Sequence, residues 1–315
     1  MRSRRAIVAF LGLAGFAAVA PLLAPYDPGR QFAGYPYAPP MRPHLTDEDG
    51  TWHAPFAYPI SLADPIDRRY AEDRSRRVTL RSGEPWFLLG SDELGRDVLS
   101  RVLAGARLSL GVSLIAALLS IVIGAVVGAA AGYAGGWADT WLMRFADLII
   151  VLPVIYVVLA LRGALPPVLT SAQVFLALVG VFALAGWPYV ARGVRGIVVI
   201  ERRAEYAEAA RALGATGWRV MTRHLLPATT GFLGVQATLL VPAFIMAEAT
   251  LSFAQLGFPP PTPSWGVMLQ SAADVRTAAD TPWLLVPAAA IVATVFVIHF
   301  VSGDPPQLRG SDVLP

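Results

Sequence analysis

Apolar residues along this chain gather in long runs rather than at a surface-helix or strand period. Ala6–Pro25, Leu108–Gly132 and Ala172–Val190 contain no charged residue. Phe145–Leu165 carries Asp147 near its start and Pro153 within it, Ala228–Phe253 contains Pro242 and Glu248, and Pro282–Ser302 contains His299. About 20 apolar residues in a helix cross a bilayer core, because a helix satisfies its own backbone N–H and C=O groups where no water can. The pattern therefore predicts an all-α polytopic membrane protein with six transmembrane helices. Ala6–Pro25 follows Arg2, Arg4 and Arg5, so a cleaved signal peptide competes with an uncleaved first span. The length of the run, and Pro21 directly after its small residues, favour the span.

Between the first two runs lies Tyr26–Arg107, rich in Pro, Tyr, Asp and Arg and without a sustained apolar period. It reads as a small irregular insertion. Its run Arg68–Arg77 (RRYAEDRSRR) reads as a solvated, mutually paired surface stretch. The division expected is 1–25 as the first helix, 26–107 as the insertion, 108–302 as a five-helix core and 303–315 as a tail.

Composition agrees with a lipid setting. Of 315 residues, 55% are hydrophobic and only 15% charged, against about a quarter charged in a soluble domain. There is no cysteine, which removes disulfides, thiolate metal sites and cysteine nucleophiles. All basic residues are arginine, and the net charge is only +3 with no basic, aromatic-interleaved face, so nucleic acid is not an expected partner. His44, His53, His224 and His299 are dispersed, and neither a metal nor any other cofactor is expected.

The arginines also orient the spans. Ala191–Pro227 holds Arg192, Arg195, Arg202, Arg203, Arg211, Arg219 and Arg223, whereas Leu256–Thr281 holds only Arg276. Short loops rich in arginine stay in the cytoplasm, which places the N-terminus inside and Tyr26–Arg107 outside. A segment as long as that insertion is translocated largely regardless of its charge.

Several features have a bland and a sharp reading. Gly124, Gly128, Gly132 and Gly136 recur every four residues, and small residues at that spacing let helix backbones approach closely in lipid; packing is the preferred reading. Asp147, Glu248 and His299 lie in or beside apolar runs. An ionisable group at membrane depth is a functional candidate, but three scattered groups make no relay, so Asp147 and Glu248 are assigned to structure within the spans. Ser91-Asp92-Glu93 reads as a helix N-cap with acidic first-turn residues.

The most informative stretch is Glu205–Pro227 (EYAEAARALGATGWRVMTRHLLP). It reads as two short helices in a cytoplasmic loop, spanning 205–224. Tyr206, Ala209, Ala210 and Leu213 fall on one face of the first helix and Glu205, Glu208 and Arg211 on the other. Gly214 stands where a helix C-terminus favours a left-handed residue, and Pro227 can open the next span because a proline there loses no helical bond. An alanine-faced helix with a charged rim suits either a groove on another protein or the lipid headgroups.

Glu208-Ala209-Ala210, Gly214 and Leu226-Pro227 resemble the EAA motif of ABC importer permeases. His224 stands where the general pattern has Ile, as is common in the peptide-permease branch. Leu89–Leu110 (LGSDELGRDVLSRVLAGARLSL), Arg144–Pro153 (RFADLIIVLP) and Glu248–Leu269 (EATLSFAQLGFPPPTPSWGVML) are similar to that branch and fall in its order. Ala254-Gln255 departs from its usual apolar-glycine pair, and the ending SGDPPQLRGSDVLP departs from its charged tail. The resemblance is to dipeptide/oligopeptide/nickel-type ABC transporter permeases of the second-permease type, over roughly residues 85–300.

That resemblance implies a type I ABC importer permease fold in a bacterial inner membrane. It implies a homologous second permease, ABC ATPase subunits and an extracytoplasmic solute-binding protein as partners, besides membrane lipid. Glu205, Glu208, Ala209, Ala210, Gly214, His224 and Pro227 would be the ATPase-coupling residues. The chain has no GxxxxGK[ST] phosphate loop, so ATP hydrolysis is expected on the partners and not here. A secondary transporter would show an inverted repeat with paired broken helices; Pro153, Pro188, Pro242 and Pro287 reveal no convincing internal similarity. A membrane-anchored enzyme centred on Tyr26–Arg107 would need a nucleophile–base signature that this segment lacks.

Overall fold

A computed structural model describes residues 2–47, 50–64, 68–79, 82–164 and 169–302; the tail expected at 303–315 lies outside the described residues. The chain opens with helix α1 (Arg2–Val19), closed by a 3-10 turn at Ala20–Leu23 where Pro21, lacking an N–H, takes a first-turn position. After the outer segment come α2 (Val98–Ala134), α3 (Gly136–Val151), α4 (Val154–Ala164) and α5 (Ser171–Glu201). The remaining helices are α6 (Glu205–Ala212), α7 (Gly217–Val220), α8 (Leu226–Phe253), α9 (Trp265–Gln270), α10 (Val275–Asp280) and α11 (Val286–Ser302).

Among the described residues, four helical stretches are long and apolar enough to cross a membrane: Val98–Ala134, Ser171–Glu201, Gly217–Phe253 and Pro282–Val301. A fifth is obtained if Gly136–Val151 and Val154–Leu161, bent by 79°, are taken as one. The bend falls at Leu152-Pro153, where the proline has no N–H and disfavours helix at the residue before it. Val8–Leu23 is a shorter apolar helix.

Helix boundaries differ from the apolar runs where charges are paired. α2 starts ten residues before Leu108, and its N-cap is Asp97, whose side chain accepts from Ser100 N at 2.8 Å; Ser91-Asp92-Glu93 is not the cap. α5 continues beyond Val190 to Glu201, through Arg192 and Arg195, both matched by carboxylates on α3. The helix can therefore run on into what reads as a loop.

α2 and α5 form the spine. A Cβ on Gly124 would come within 2.7 Å of Trp187 O, one on Gly128 would collide with Ala191 O, and one on Gly132 would sit 2.9 Å from Arg195 O. Gly136 does not belong to this stripe: it lies past the end of α2, at φ +55, as the first residue of α3. α8 closes on the pair through Phe244, stacked on Phe182 of α5 at 5.2 Å, while Ser120 of α2 donates to Ala116 O in its own helix at 2.8 Å and to Ala183 O of α5 at 3.4 Å. α1 and α11 pack on α8.

The outer segment is more ordered than the sequence pattern predicts. Strands β1 (His44–Thr46) and β2 (Trp52–Phe56) pair antiparallel, as do β3 (Ile60–Asp64) and β4 (Arg69–Glu72). Phe32, Met41, Trp86 and Phe87 form a small core of their own with Tyr26 and Tyr35 packed against it. These aromatics are scattered in sequence, so no period announces them. In the Arg68–Arg77 run, Arg74 pairs with Glu72 at 3.5 Å within the run, whereas Arg77 pairs with Asp47 at 2.8 Å and Arg76 with Glu84, both outside it.

The α2–α5 contact has a direct test. Gly128→Val should lower stability by about 2 kcal/mol through overpacking, read as a lower unfolding midpoint of the detergent-purified protein. Gly196→Ala, inside α5 where an added Cβ meets nothing within 4 Å, should hold or slightly raise the midpoint, since alanine is the better helix former.

Candidate functional site: an exposed segment and a locked loop at opposite ends of one helix

At one end of α8 lies the segment Glu205–Pro227. α6 begins with Glu205 and Glu208 in its first turn and ends in Arg211, signs that complement the helix dipole. Its C-terminus is a Schellman motif: Gly214 N donates to Arg211 O at 2.9 Å and Ala215 N to Ala210 O at 3.0 Å. Gly214 holds φ +81, the left-handed conformation the sequence pattern anticipates.

The face assignment needs correction. The side of α6 turned to the body of the protein centres on Ala207, fully buried, with Ala210 packed on the same core. Tyr206, Ala209 and Leu213 point outward together with Glu205 and Glu208. The helix is held from beneath: Arg211 Nε donates to Ala207 O at 3.2 Å, and its Nη2 donates to Arg202 O. The Tyr206 hydroxyl donates to Glu201 Oε2 at 2.5 Å, and that bond pushes the phenol up to about 12. Its ring also lies 6.0 Å from that of His224.

The second short helix does not stand alone. α7 passes through a π turn, Met221–Leu225, directly into α8, making one helix from Gly217 to Phe253. Pro227 explains the widening. It has no N–H to offer, and Leu226 N reaches back to Met221 O in an i→i−5 bond. His224 sits in that turn and Pro227 follows it. A Cβ on Gly217 would meet the Tyr133 hydroxyl at 2.5 Å, so α7 rests on the end of α2. Arg202 Nη1 caps the same end, donating to Gly132 O at 2.9 Å and Tyr133 O at 3.0 Å.

The exposed edge so formed carries Leu213, 88% exposed, and Trp218, 77% exposed, on either side of Gly214. Trp218 escaped the reading of the sequence; its signal was a large aromatic in an otherwise small and basic loop.

The other end of α8 carries a locked loop. Past Phe253 the chain turns through Gln255, at φ 64, and Leu256 N donates back to Leu251 O at 2.8 Å. It then returns as α9, seated between α2 and α8. Trp265 is buried there: its N donates to Ser109 Oγ at 3.2 Å and its Nε1 to Val102 O at 3.0 Å. Gln270 Nε2 donates to Ser252 O at 2.6 Å. Glu248 lies fully buried beneath. Its Oε1 accepts from Ser252 Oγ at 2.7 Å, the Ser109 and Ser264 hydroxyls face the same carboxyl, and Oε2 has no well-formed hydrogen bond among the described residues.

Next to this lock, Asp92 gathers two arginines. Its Oδ1 accepts from Leu94 N and Arg96 N at 3.0 and 2.9 Å. Its Oδ2 takes Arg96 Nε at 2.7 Å and faces Arg101 Nε at 3.4 Å. Arg101 also donates to Pro28 O and Pro261 O, tying α2 to the outer segment and to the returning loop. Asp147 lies elsewhere, on α3, paired with Arg192 of α5. His299 is occupied locally, with Nδ1 2.9 Å from Val295 O.

Among the described residues the chain is thus a mostly helical protein with four or five candidate membrane spans and a structured segment at each end of its long helix α8. Residues 120–303 match the family described as binding-protein-dependent transport system inner membrane component, and the chain belongs to that family. It is 34% identical over 287 residues to the di/tripeptide transport system permease protein DppC of Pseudomonas aeruginosa, covering 90% of this chain and 79% of that one. It is 40% identical over 223 residues to the dipeptide transport system permease protein DppC of Bacillus subtilis, covering 71% and 67%. The oligopeptide transport system permease protein OppC of the same species is 36% identical over 251 residues, 78% of each chain.

The chain is thus a membrane-spanning permease subunit of a binding-protein-dependent importer that works with other ABC components. Such subunits are not themselves enzymes. The secondary-transporter reading is set aside.

The Asp92 cluster predicts a large effect from a small change. Asp92→Ala leaves the buried Arg96 and Arg101 without their carboxylate. It should cost about 3–5 kcal/mol, measured as a lowered unfolding midpoint and faster proteolysis of the outer segment.

Proposed function

We propose that this chain is the second-type permease of a di-/oligopeptide importer, and that α6 with the Gly214 turn is its coupling element. The observation that carries the reading is the outward presentation of Glu208, Ala209 and Leu213 on a base fixed by Ala207, with Trp218 exposed across the turn. Large apolar side chains beside a charged rim, on a backbone pinned by a Schellman turn, suit a cleft in another protein. The partners in this reading are ABC ATPase subunits beneath the segment, a homologous second permease alongside and an extracytoplasmic solute-binding protein on the outer face. The peptide cargo is inferred from what the relatives' names state.

In this scheme the protein lies in a bacterial inner membrane with its N-terminus in the cytoplasm. α1 completes six spans, with the bent α3–α4 pair as the third. Residues 26–97 lie outside, followed by the start of α2. ATP hydrolysis belongs to the partners. Closure of the ATPase pair pushes on Glu205, Glu208, Ala209, Ala210 and Gly214, while His224, through its ring contact with Tyr206, and Pro227 carry the push into α8. The push is useful because α7 and α8 are one continuous helix; a flexible joint would absorb it. Glu248 and Asp147 serve the architecture that receives it.

Gly214→Asp is the sharpest variant. An added side chain meets nothing within 4 Å in this chain, and aspartate tolerates the left-handed region at about 1 kcal/mol, so the subunit should fold and insert at normal abundance. Peptide uptake should nevertheless fall at least tenfold, with loss of the ATPase from a gentle-detergent pull-down that recovers it with the unmodified chain. Uptake retained at normal abundance would defeat the assignment. Recovery of the unmodified chain alone, stable and monodisperse, would defeat the assembly.

A further inference from the structure

α3 and α5 are joined by two ion-pair rungs. Arg195 grips Asp139 with both branches, Nε to Oδ1 at 3.0 Å and Nη2 to Oδ2 at 2.5 Å, and Arg192 pairs with Asp147. A small apolar cluster of Ala146, Ile149, Trp187 and Ala191 backs them. The rungs are open on their other side. The side chains of Arg192 and Asp147 are 52% and 47% exposed, and that of Arg195 is 39% exposed. Asp139, Thr140, Met143, Arg192 and Arg195 line a concavity of about 400 Å³, and Asp147 adjoins it through its pair with Arg192.

Such charges do not face hydrocarbon without a cost of several kcal/mol. α3 is also two-sided: Trp137, Trp141, Phe145 and Leu148 form an exposed, mostly apolar stripe, interrupted by the exposed Arg144. At 3.6 residues per turn, Asp139, Met143 and Asp147 lie about 155° around the axis from it. The apolar stripe takes the lipid, and the charged stripe requires water or a polar solute.

The chemistry of that face is that of a receptor for a dipolar ion. Guanidinium binds carboxylate in a bidentate manner, and a carboxylate binds ammonium. The rungs stand about 4.5 Å apart along α5 and about 12 Å apart along α3, from helical rise. An extended di- or tripeptide, at about 3.3–3.6 Å per residue, spans about 7–11 Å. We propose that the α3–α5 face lines the aqueous path on the cytoplasmic side and is a subsite for the charged ends of a zwitterionic short peptide, Arg195 taking the carboxylate and Asp147 the ammonium. This rests on the peptide-importer reading above.

The chain contains no cysteine, so single thiols report cleanly. Thr140→Cys and Met143→Cys, each in the complete transporter in inside-out vesicles without ATP, should react with a membrane-impermeant methanethiosulfonate, and Leu148→Cys on the lipid stripe should not. Dialanine at millimolar concentration should slow the reaction at residues 140 and 143 at least fivefold. N-acetyl-dialanine amide, which has no charged ends, should not slow it, and Arg195→Gln should abolish the protection by dialanine. Absence of labelling at residues 140 and 143 overturns the aqueous face. Labelling that dialanine leaves unchanged, in vesicles from cells that accumulate dialanine, overturns the subsite. A further arm separates a receptor from a strut: exchanging the charges in the double variant D147R/R192D restores an ion pair, so full recovery of uptake, with a normal KM, would mean that the pair only braces α3. Failure of intact cells carrying the complete unmodified system to take up any di- or tripeptide refutes the importer reading itself, and the subsite with it.

Discussion

The backbone-to-backbone approach of α2 and α5 along Gly124, Gly128 and Gly132 sets where the rest of the helices sit. In lipid there is little hydrophobic force between helices, and association depends on close van der Waals fit. By letting Trp187, Val190, Ala191 and Val194 sit directly on α2, the glycines create a spine narrow enough for α8 to touch both members, with Phe244 stacked on Phe182 of α5. The rest hangs from that contact. α1 and α11 lie on α8, α9 wedges Trp265 between α2 and α8, and α3 docks on α5 through its cluster at Ala191. Widening the spine by one methyl group would shift supports that are several helices away.

Much of this was legible in the residues, for reasons that can be named. Pro153 announced the bend because a missing donor is a local property. Gly214 announced the end of α6 because a Schellman turn needs a left-handed residue within a few positions. The glycine stripe was visible because its period is that of a helix. What escaped depended on partners distant in sequence. α2 begins at Val98 because Arg101 finds Asp92, and α5 runs to Glu201 because Arg192 and Arg195 find Asp147 and Asp139. Without those partners, each arginine looks like the end of a span. The outer segment hid its core in the same way, since Tyr26, Phe32, Met41 and Phe87 share no period. On α6, the pattern paired Tyr206, Ala209 and Leu213 with Ala210, yet Ala207 is the buried centre. The large side chains Tyr206 and Leu213 suggested the buried face, but the small ones, Ala207 and Ala210, are those that pack on the core. At the outer turn Gln255 occupies, at φ 64, a place where glycine is usual in the resembling family; its conformation was not deducible from its identity.

The two ends of α8 place different demands on side chains. The Glu205–Pro227 end keeps large residues such as Leu213 and Trp218 outside, which is costly to solubility unless something covers them. The opposite end buries even its carboxylate, Glu248, among serines. One end is left open and the other is closed by the chain itself, and a single helix runs between them.

The π turn at Met221–Leu225 has a consequence for that helix. It admits one more residue than an α-turn, and one residue is about 100° of rotation. The turn therefore acts as a phase shifter. It decides which side of α8 carries Phe244, Glu248 and Ser252 relative to the side on which Trp218 emerges. Tightening it to ordinary α geometry would rotate one end of the rod against the other by more than a quarter turn, without moving either end along the membrane normal by more than about 1.5 Å. Lengths of helix set reach in this molecule; the residue count of a single turn sets aim.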